Sequence, residues 1–199
     1  MIMREICGLS FEEFRRKAEE FHGYPAPGLL VGGLMVDLAR RNLPAGEFFD
    51  VLCETNSCLP DAVQILTPCT CGNGWLKIIP LGRYALTFFE KRSGEGVRVS
   101  VDAEKLEKYP EVKNWFFRLK PKKEQKEDLL ISQIFEGGDD LFRVSSVRVD
   151  ESHLGPKHGG SVVLCPSCGE AYPREDGERC RVCQGFLLYS ENRQYDRDK

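Results

Sequence analysis

The stretch CPSCGEAYPREDGERCRVCQG sets Cys165 and Cys168 two residues apart and, after eleven more, repeats the spacing with Cys180 and Cys183. Each C-x-x-C bends back so that both thiolates face one ion, and two such knuckles complete a tetrahedral four-sulfur shell. Gly169 and Gly185, after the second cysteine of each pair, suit the positive φ angles of a knuckle. Four sulfur ligands leave no open coordination position, so the metal expected here is a structural zinc that folds a small module. From Lys157 onward basic and acidic residues balance, and a four-thiolate zinc adds negative charge. The footprint that neutralises phosphates is missing, so nucleic acid is not the expected partner; protein contact, including self-association, is.

The other cysteines follow a different plan. Cys7 stands alone, and Cys53, inside an apolar run, reads as a small core hydrophobe. Cys58 precedes a helix start, where partial positive charge is expected to lower a thiol's pKa. Cys69 and Cys71 follow the same helix in a turn, and His22 lies in FHGYPAPG, on a turn between two helices. A turn histidine is usually a hydrogen-bonding residue. His22 and Cys58 with nearby carboxylates or thiols could instead form a second, mononuclear metal site if the fold gathers them. A third reading is an enzyme in which Cys58 is a thiolate nucleophile and His22 or Asp61 handles protons.

The elements that would position these residues can be read from periodicity. Ser10 and Glu13 form a capping-box signature, with Phe11, Phe14, Ala18 and Phe21 at helical spacing behind it. Gly23, Pro25 and Pro27 stop this helix near Phe21. GLLVGGLMVDLARRNL is apolar nearly all round until Asp37, which predicts a buried helix with Gly32 and Gly33 at a close contact. EFFDVLCET reads as a short buried strand and LPDAVQILT as a helix with Pro60 and Asp61 in its first turn. WLKIIP, YALTFFEK and GVRVSVD read as strands, the last two joined by the hairpin loop RSGEG. Residues 103–136 read as helices, with Trp115, Phe116 and Leu119, then Leu129, Leu130, Ile134 and Phe135 as apolar faces and Pro121 between them. LFRVSSVRVD returns to strand alternation. The expected class is α+β: a mixed helix and antiparallel-sheet core over residues 1–152, a linker, a four-cysteine module over 160–190 and a polar tail over 191–199.

Composition narrows the classes of function. The net charge of −3 offers no chain-wide attraction for nucleic acid or anionic membrane. No run approaches the roughly eighteen apolar residues of a membrane helix, and the first residues do not read as a secretory signal. Nine cysteines in a chain with no secretory signal are expected to be metal ligands or reactive thiols in a reducing cytoplasm.

FHGYPAPGLLVGG, followed some thirty residues on by ETNSCLPDAVQILTPCTCGNGWLKI, resembles the FmdE family of formylmethanofuran dehydrogenase subunits. Members of that family carry FHGH-x-CPG and C-x-x-DAIQ-x-LTGCT-x-GKGNL stretches. The resemblance covers roughly residues 10–150, and some members add a treble-clef zinc finger. It implies an α+β core, a homodimer and a pocket built from the two motifs. It also implies association with molybdenum or tungsten formylmethanofuran dehydrogenase systems of methanogenesis-type operons, whose metal chemistry belongs to other subunits. Carried over by residue, His22, Cys58, Asp61, Gln64 and Cys69 match the motifs, which makes Cys58, His22 and Asp61 the candidate reacting groups. Tyr24, Gln64, Cys69 and Cys71 are then the candidate pocket residues. Tyr24 and Ala26 stand where the family has a second histidine and a cysteine, and Pro68 and Asn73 where it has a glycine and a lysine. Two soft ligands are therefore gone from the first motif, while Cys71 adds a thiol to the second. A zinc-finger regulator of transcription draws its other support from RLKPKKEQK, residues 118–126, a basic run that reads as a solvated interhelical face.

Overall fold

The computed structural model describes residues 5–43, 49–154 and 160–186. The expected tail over 191–199, the middle of the linker and the end of the four-cysteine module lie outside them. The chain divides into two compact units, Met1–Gly155 and Pro156–Lys199.

The first unit is α+β. Helix α1 (Phe11–His22) starts at the expected capping box: the Ser10 N–H donates to Glu13 Oε2 at 2.8 Å, and the Glu13 N–H to Ser10 Oγ at 3.3 Å. It ends at Gly23, which takes φ 89° and donates its N–H to the Glu19 carbonyl. Helix α2 (Pro27–Asn42) is the central element, buried from Gly28 through Val36. Its paired glycines are close contacts: a Cβ on Gly32 would sit 2.8 Å from Ala62 Cβ, and one on Gly33 2.6 Å from Phe14 Cζ. The missing side chains let helix α3 (Leu59–Leu66) and α1 pack directly on the α2 backbone.

The helices cover a five-stranded sheet made of β1 (Phe49–Cys53), β2 (Leu76–Ile78), β3 (Ala85–Glu90), β4 (Glu95–Val101) and β5 (Phe142–Arg148), in the order β2-β1-β3-β4-β5. The β1–β2 pair is parallel, with α3 as its crossover, and the other pairs are antiparallel. Val51, Phe88 and Val97 form one cross-strand row of the core, and Cys53, Leu86 and Val99 the next. The opposite face buries charge in pairs: Arg98 holds Glu54 through two hydrogen bonds of 2.6 and 2.9 Å. The β3–β4 turn closes over the Glu90 carboxylate, which accepts the N–H groups of Arg92 and Ser93.

Two short helices, α4 (Pro110–Phe116) and α5 (Glu127–Gly137), account for the expected helical region. Leu119, expected on an apolar face, is exposed because it lies beyond Arg118, whose left-handed backbone turns the chain away from α4. Phe21 and Leu129 are exposed as well. In the second unit β6 (Val162–Leu164) and β7 (Ala171–Pro173) form a small hairpin under the cysteines.

Candidate functional site

Three segments meet at the start of α3. The end of α1 brings His22, whose Nδ1 lies 2.6 Å from Asp61 Oδ2 in the first turn of α3. An ionised carboxylate can only accept, so the imidazole N–H donates. The Tyr24 ring stands 5.3 Å from the His22 ring, centre to centre. The turn into α2 then brings Gly28 against Cys58, where a Cβ would lie 3.1 Å from both Cys58 Cβ and Sγ. Tyr84, from the loop before β3, donates its hydroxyl to the Gly28 carbonyl at 2.7 Å. Burial pushes that hydroxyl well above the ordinary tyrosine range, and the Cys58 and Cys53 thiols beside it add to the effect. Tyr84 therefore stays a neutral donor and pins the α2 turn.

Cys58 occupies the N-cap position of α3 with φ 42°, an unusual conformation for a residue with a side chain. The expected lowering of its pKa is overturned. Half-burial raises the thiol first, and the Asp61 charge raises it further. At neutral pH Cys58 is a protonated thiol.

A cavity of about 480 Å³ opens beside it. Tyr24, Pro27 and Gly28 line one side with Cys58, and Trp115, Arg118, Lys122 and Glu127 from the α4–α5 region line the other. The cations were legible as the basic run 118–126, but that run reads as a solvated face, and nothing local says that two of its cations, with Gln125, line a cavity. Trp115 and Tyr84 carried no functional signal in the sequence.

Gln64, Cys69 and Cys71 lie at the far end of α3 and do not line this cavity among the described residues. Cys69 is buried, its Sγ 3.7 Å from the Phe49 carbonyl, and burial raises its thiol. Cys71 is exposed on a turn, where its N–H donates to Gln64 Oε1 at 3.3 Å and Asn73 closes the loop by donating to the Pro68 carbonyl. A helix of eight residues is about 12 Å long, which separates Cys58 from both.

The second unit carries the other candidate centre. The Cys165, Cys168, Cys180 and Cys183 sulfurs lie within 4.8 Å of one another, and no other group of three or more potential ligands converges among the described residues. The Cys168 and Cys180 sulfurs are 3.7 Å apart, close to the roughly 3.8 Å edge of a tetrahedron with zinc–sulfur bonds of about 2.3 Å. Gly169 (φ 78°) and Gly185 (φ 103°) supply the knuckle turns. Backbone N–H groups of Cys180, Ser167 and Cys168 bring the Cys165 thiol down to about 6, while the neighbouring thiols of Cys180 and Cys168 push Cys183 up to about 12. Four such sulfurs become thiolates together when a divalent cation compensates them, and zinc fits the donor set. His22, Asp61 and Cys58 form no comparable three-ligand group, so no second metal is supported.

No helix among the described residues is long and apolar enough to cross a membrane. Comparison with known proteins agrees with both units. A crystal structure of a tungsten formylmethanofuran dehydrogenase FmdE-like protein from Syntrophus aciditrophicus superposes with a TM-score of 0.85 at 50% identity, covering 95% of this chain and 100% of that one. A curated protein of Archaeoglobus fulgidus, named as a probable S-adenosyl-L-methionine-binding protein, is 39% identical over 101 residues, 47% of this chain. The chain spans 28% of the length of that relative. The family model described as FmdE, molybdenum formylmethanofuran dehydrogenase operon, matches residues 21–149, and that of the FmdE treble clef zinc finger matches residues 156–190. With its core and its four-cysteine module both matched, the chain belongs to the FmdE family.

Proposed function

We propose that the chain is an accessory protein of a molybdenum or tungsten formylmethanofuran dehydrogenase system, acting in the cytoplasm as a homodimer. In this reading it binds a small molecule in the Cys58 cavity, and its zinc module makes protein contacts. The observation that carries the reading is the cavity itself: the first motif supplies Tyr24 and Gly28, the second supplies Cys58, and together they line about 480 Å³ of space. Binding is favoured over nucleophilic catalysis because the Cys58 thiol is raised and no base is hydrogen-bonded to it among the described residues. Exposed Phe117 and Leu119 offer apolar surface for self-association. The archaeal relative's name makes S-adenosyl-L-methionine the first compound to titrate.

Native mass spectrometry of the full chain, isolated from its own cells, is expected to show a small organic ligand beside zinc. Tyr24→Ala, at an exposed position, should lose that ligand and keep the zinc. A chain that carries zinc alone and whose Cys58 resists iodoacetamide even at a pH above the ordinary thiol range would remove the basis of the reading.

A further inference from the structure

Three described residues other than glycine have φ between +20° and +160°: Cys7, Cys58 and Arg118. Two of the three, Cys58 and Arg118, line the same cavity. Arg118 follows the end of α4 at the position where a helix usually places glycine. Its N–H donates to the Trp115 carbonyl at 3.2 Å, and the next N–H, of Leu119, reaches back to the Asn114 carbonyl at 2.9 Å. This is the bonding of a Schellman motif, whose left-handed residue is ordinarily glycine because a Cβ strains the backbone there. A glycine would end this helix with less strain, so the helix end does not account for an arginine.

The cavity does account for it. Arg118 and Lys122 both line it and have no ion-pair partner among the described residues, whereas Lys120, between them in the chain, is paired with Glu111 at 3.1 Å. Lys122 Nζ lies 5.6 Å from the centre of the Tyr24 ring, which also lines the cavity. Glu127 is the one carboxylate among the lining residues, which leaves the wall with an excess of positive charge. A guanidinium presents two parallel N–H donors that match the oxygens of a carboxylate or a phosphate.

We infer that the Cys58 cavity takes a small anionic ligand, bearing a carboxylate or phosphate group, and that Arg118 is the residue that recognises the anionic group. This rests on the reading of the cavity as a ligand site and adds the ligand's chemical class.

Alkylation of the full, zinc-loaded chain by two reagents of similar size and different charge tests the inference. Iodoacetate and iodoacetamide both attack through the thiolate, forming an S-carboxymethyl or S-carbamidomethyl thioether and releasing iodide. Their rate ratio at one cysteine therefore cancels its thiolate fraction and reports the local preference for an anion. Exposed Cys71 is the internal reference. The iodoacetate-to-iodoacetamide ratio at Cys58, read by peptide mapping, is expected to exceed that at Cys71 by about tenfold, the low end of what focused charge does in a cleft. Arg118→Gly should bring the ratio most of the way back to the Cys71 value while raising the melting temperature by about 2–4 °C through relief of backbone strain. Arg118→Lys should keep most of the selectivity. Inorganic phosphate and acetate, each against chloride at matched ionic strength, should slow iodoacetamide at Cys58, and the stronger protector names the anionic group.

Equal ratios at Cys58 and Cys71, an unchanged ratio in Arg118→Gly, or protection by neither anion would overturn the inference and leave the ligand site standing. A melting temperature that falls together with the ratio would assign Arg118 to packing and overturn it too. Failure of both reagents to modify Cys58 at a pH above the ordinary thiol range, where the thiolate forms, would remove the site itself.

Discussion

The two cysteine groups of this chain differ in what brings their sulfurs together. In the C-terminal unit all four sulfurs lie within 4.8 Å, gathered by two local turns and a short hairpin. In the core unit the thiols are dispersed: Cys53 and Cys69 are buried, Cys71 is exposed, and Cys58 alone of these faces the 480 Å³ cavity. The first group is closed on itself and suits a metal with no free coordination position. The second leaves one thiol available next to space, cations and aromatic rings. A closed cluster that suits a structural metal and an open thiol beside a cavity are thus distinguished here by convergence of the sulfurs and not by the number of cysteines.

Removing the metal should break the comparison on one side only. Chelation, or Cys165→Ser, is expected to unfold the second unit, since zinc sites of this kind carry about 10 kcal/mol of folding free energy. The core should melt as before, which circular dichroism and residue-resolved amide exchange would show. Loss of the core together with the zinc would mean that the two groups are not independent.

Gly32→Val acts on the other side. Its Cβ would meet Ala62 Cβ at 2.8 Å and Leu59 Cδ1 at 3.3 Å, on the helix that begins at Cys58. Overpacking of this kind costs about 1–3 kcal/mol, so the urea midpoint of the core should fall while the zinc content is unchanged. An unaltered midpoint would show that the α2–α3 contact is looser than the geometry gives.

The smallest expected effect is electrostatic. Burial and Asp61 raise the Cys58 thiol, so its alkylation should climb only at a pH above the ordinary thiol range. Asp61→Asn removes a negative charge that disfavours the thiolate. The profile should therefore move to lower pH, and the rate at pH 7 should rise about two- to threefold. A move to higher pH would mean that the lost His22 contact matters more to Cys58 than the lost charge.

How much of this was legible beforehand follows the same division. The four-cysteine module, the capping box at Ser10, and the buried helix with Gly32 and Gly33 are encoded over a few consecutive residues, and each could be read directly. His22 and Asp61, thirty-nine positions apart, were each legible as candidates, from a turn, a helix start and the motif resemblance, but only the structure joins them, at 2.6 Å. Gln64, Cys69 and Cys71 belong to the same motif as Cys58 but stand at the other end of α3, because a helix separates its two termini however dense the motif is in sequence. The raised pKa of Cys58 could not be read, since it depends on what buries the thiol. Arg118 and Lys122 looked like solvated charge because a basic run does not reveal which members a tertiary turn directs into a cavity.

The contrast between a closed cluster and an open one is tested most directly by the metal content of the purified full chain, measured by elemental analysis. About one zinc per chain is expected, bound by the four C-terminal cysteines and lost in Cys165→Ser. A chain with no zinc, or one that keeps a full equivalent of metal in Cys165→Ser and loses it in Cys58→Ser, would contradict that contrast.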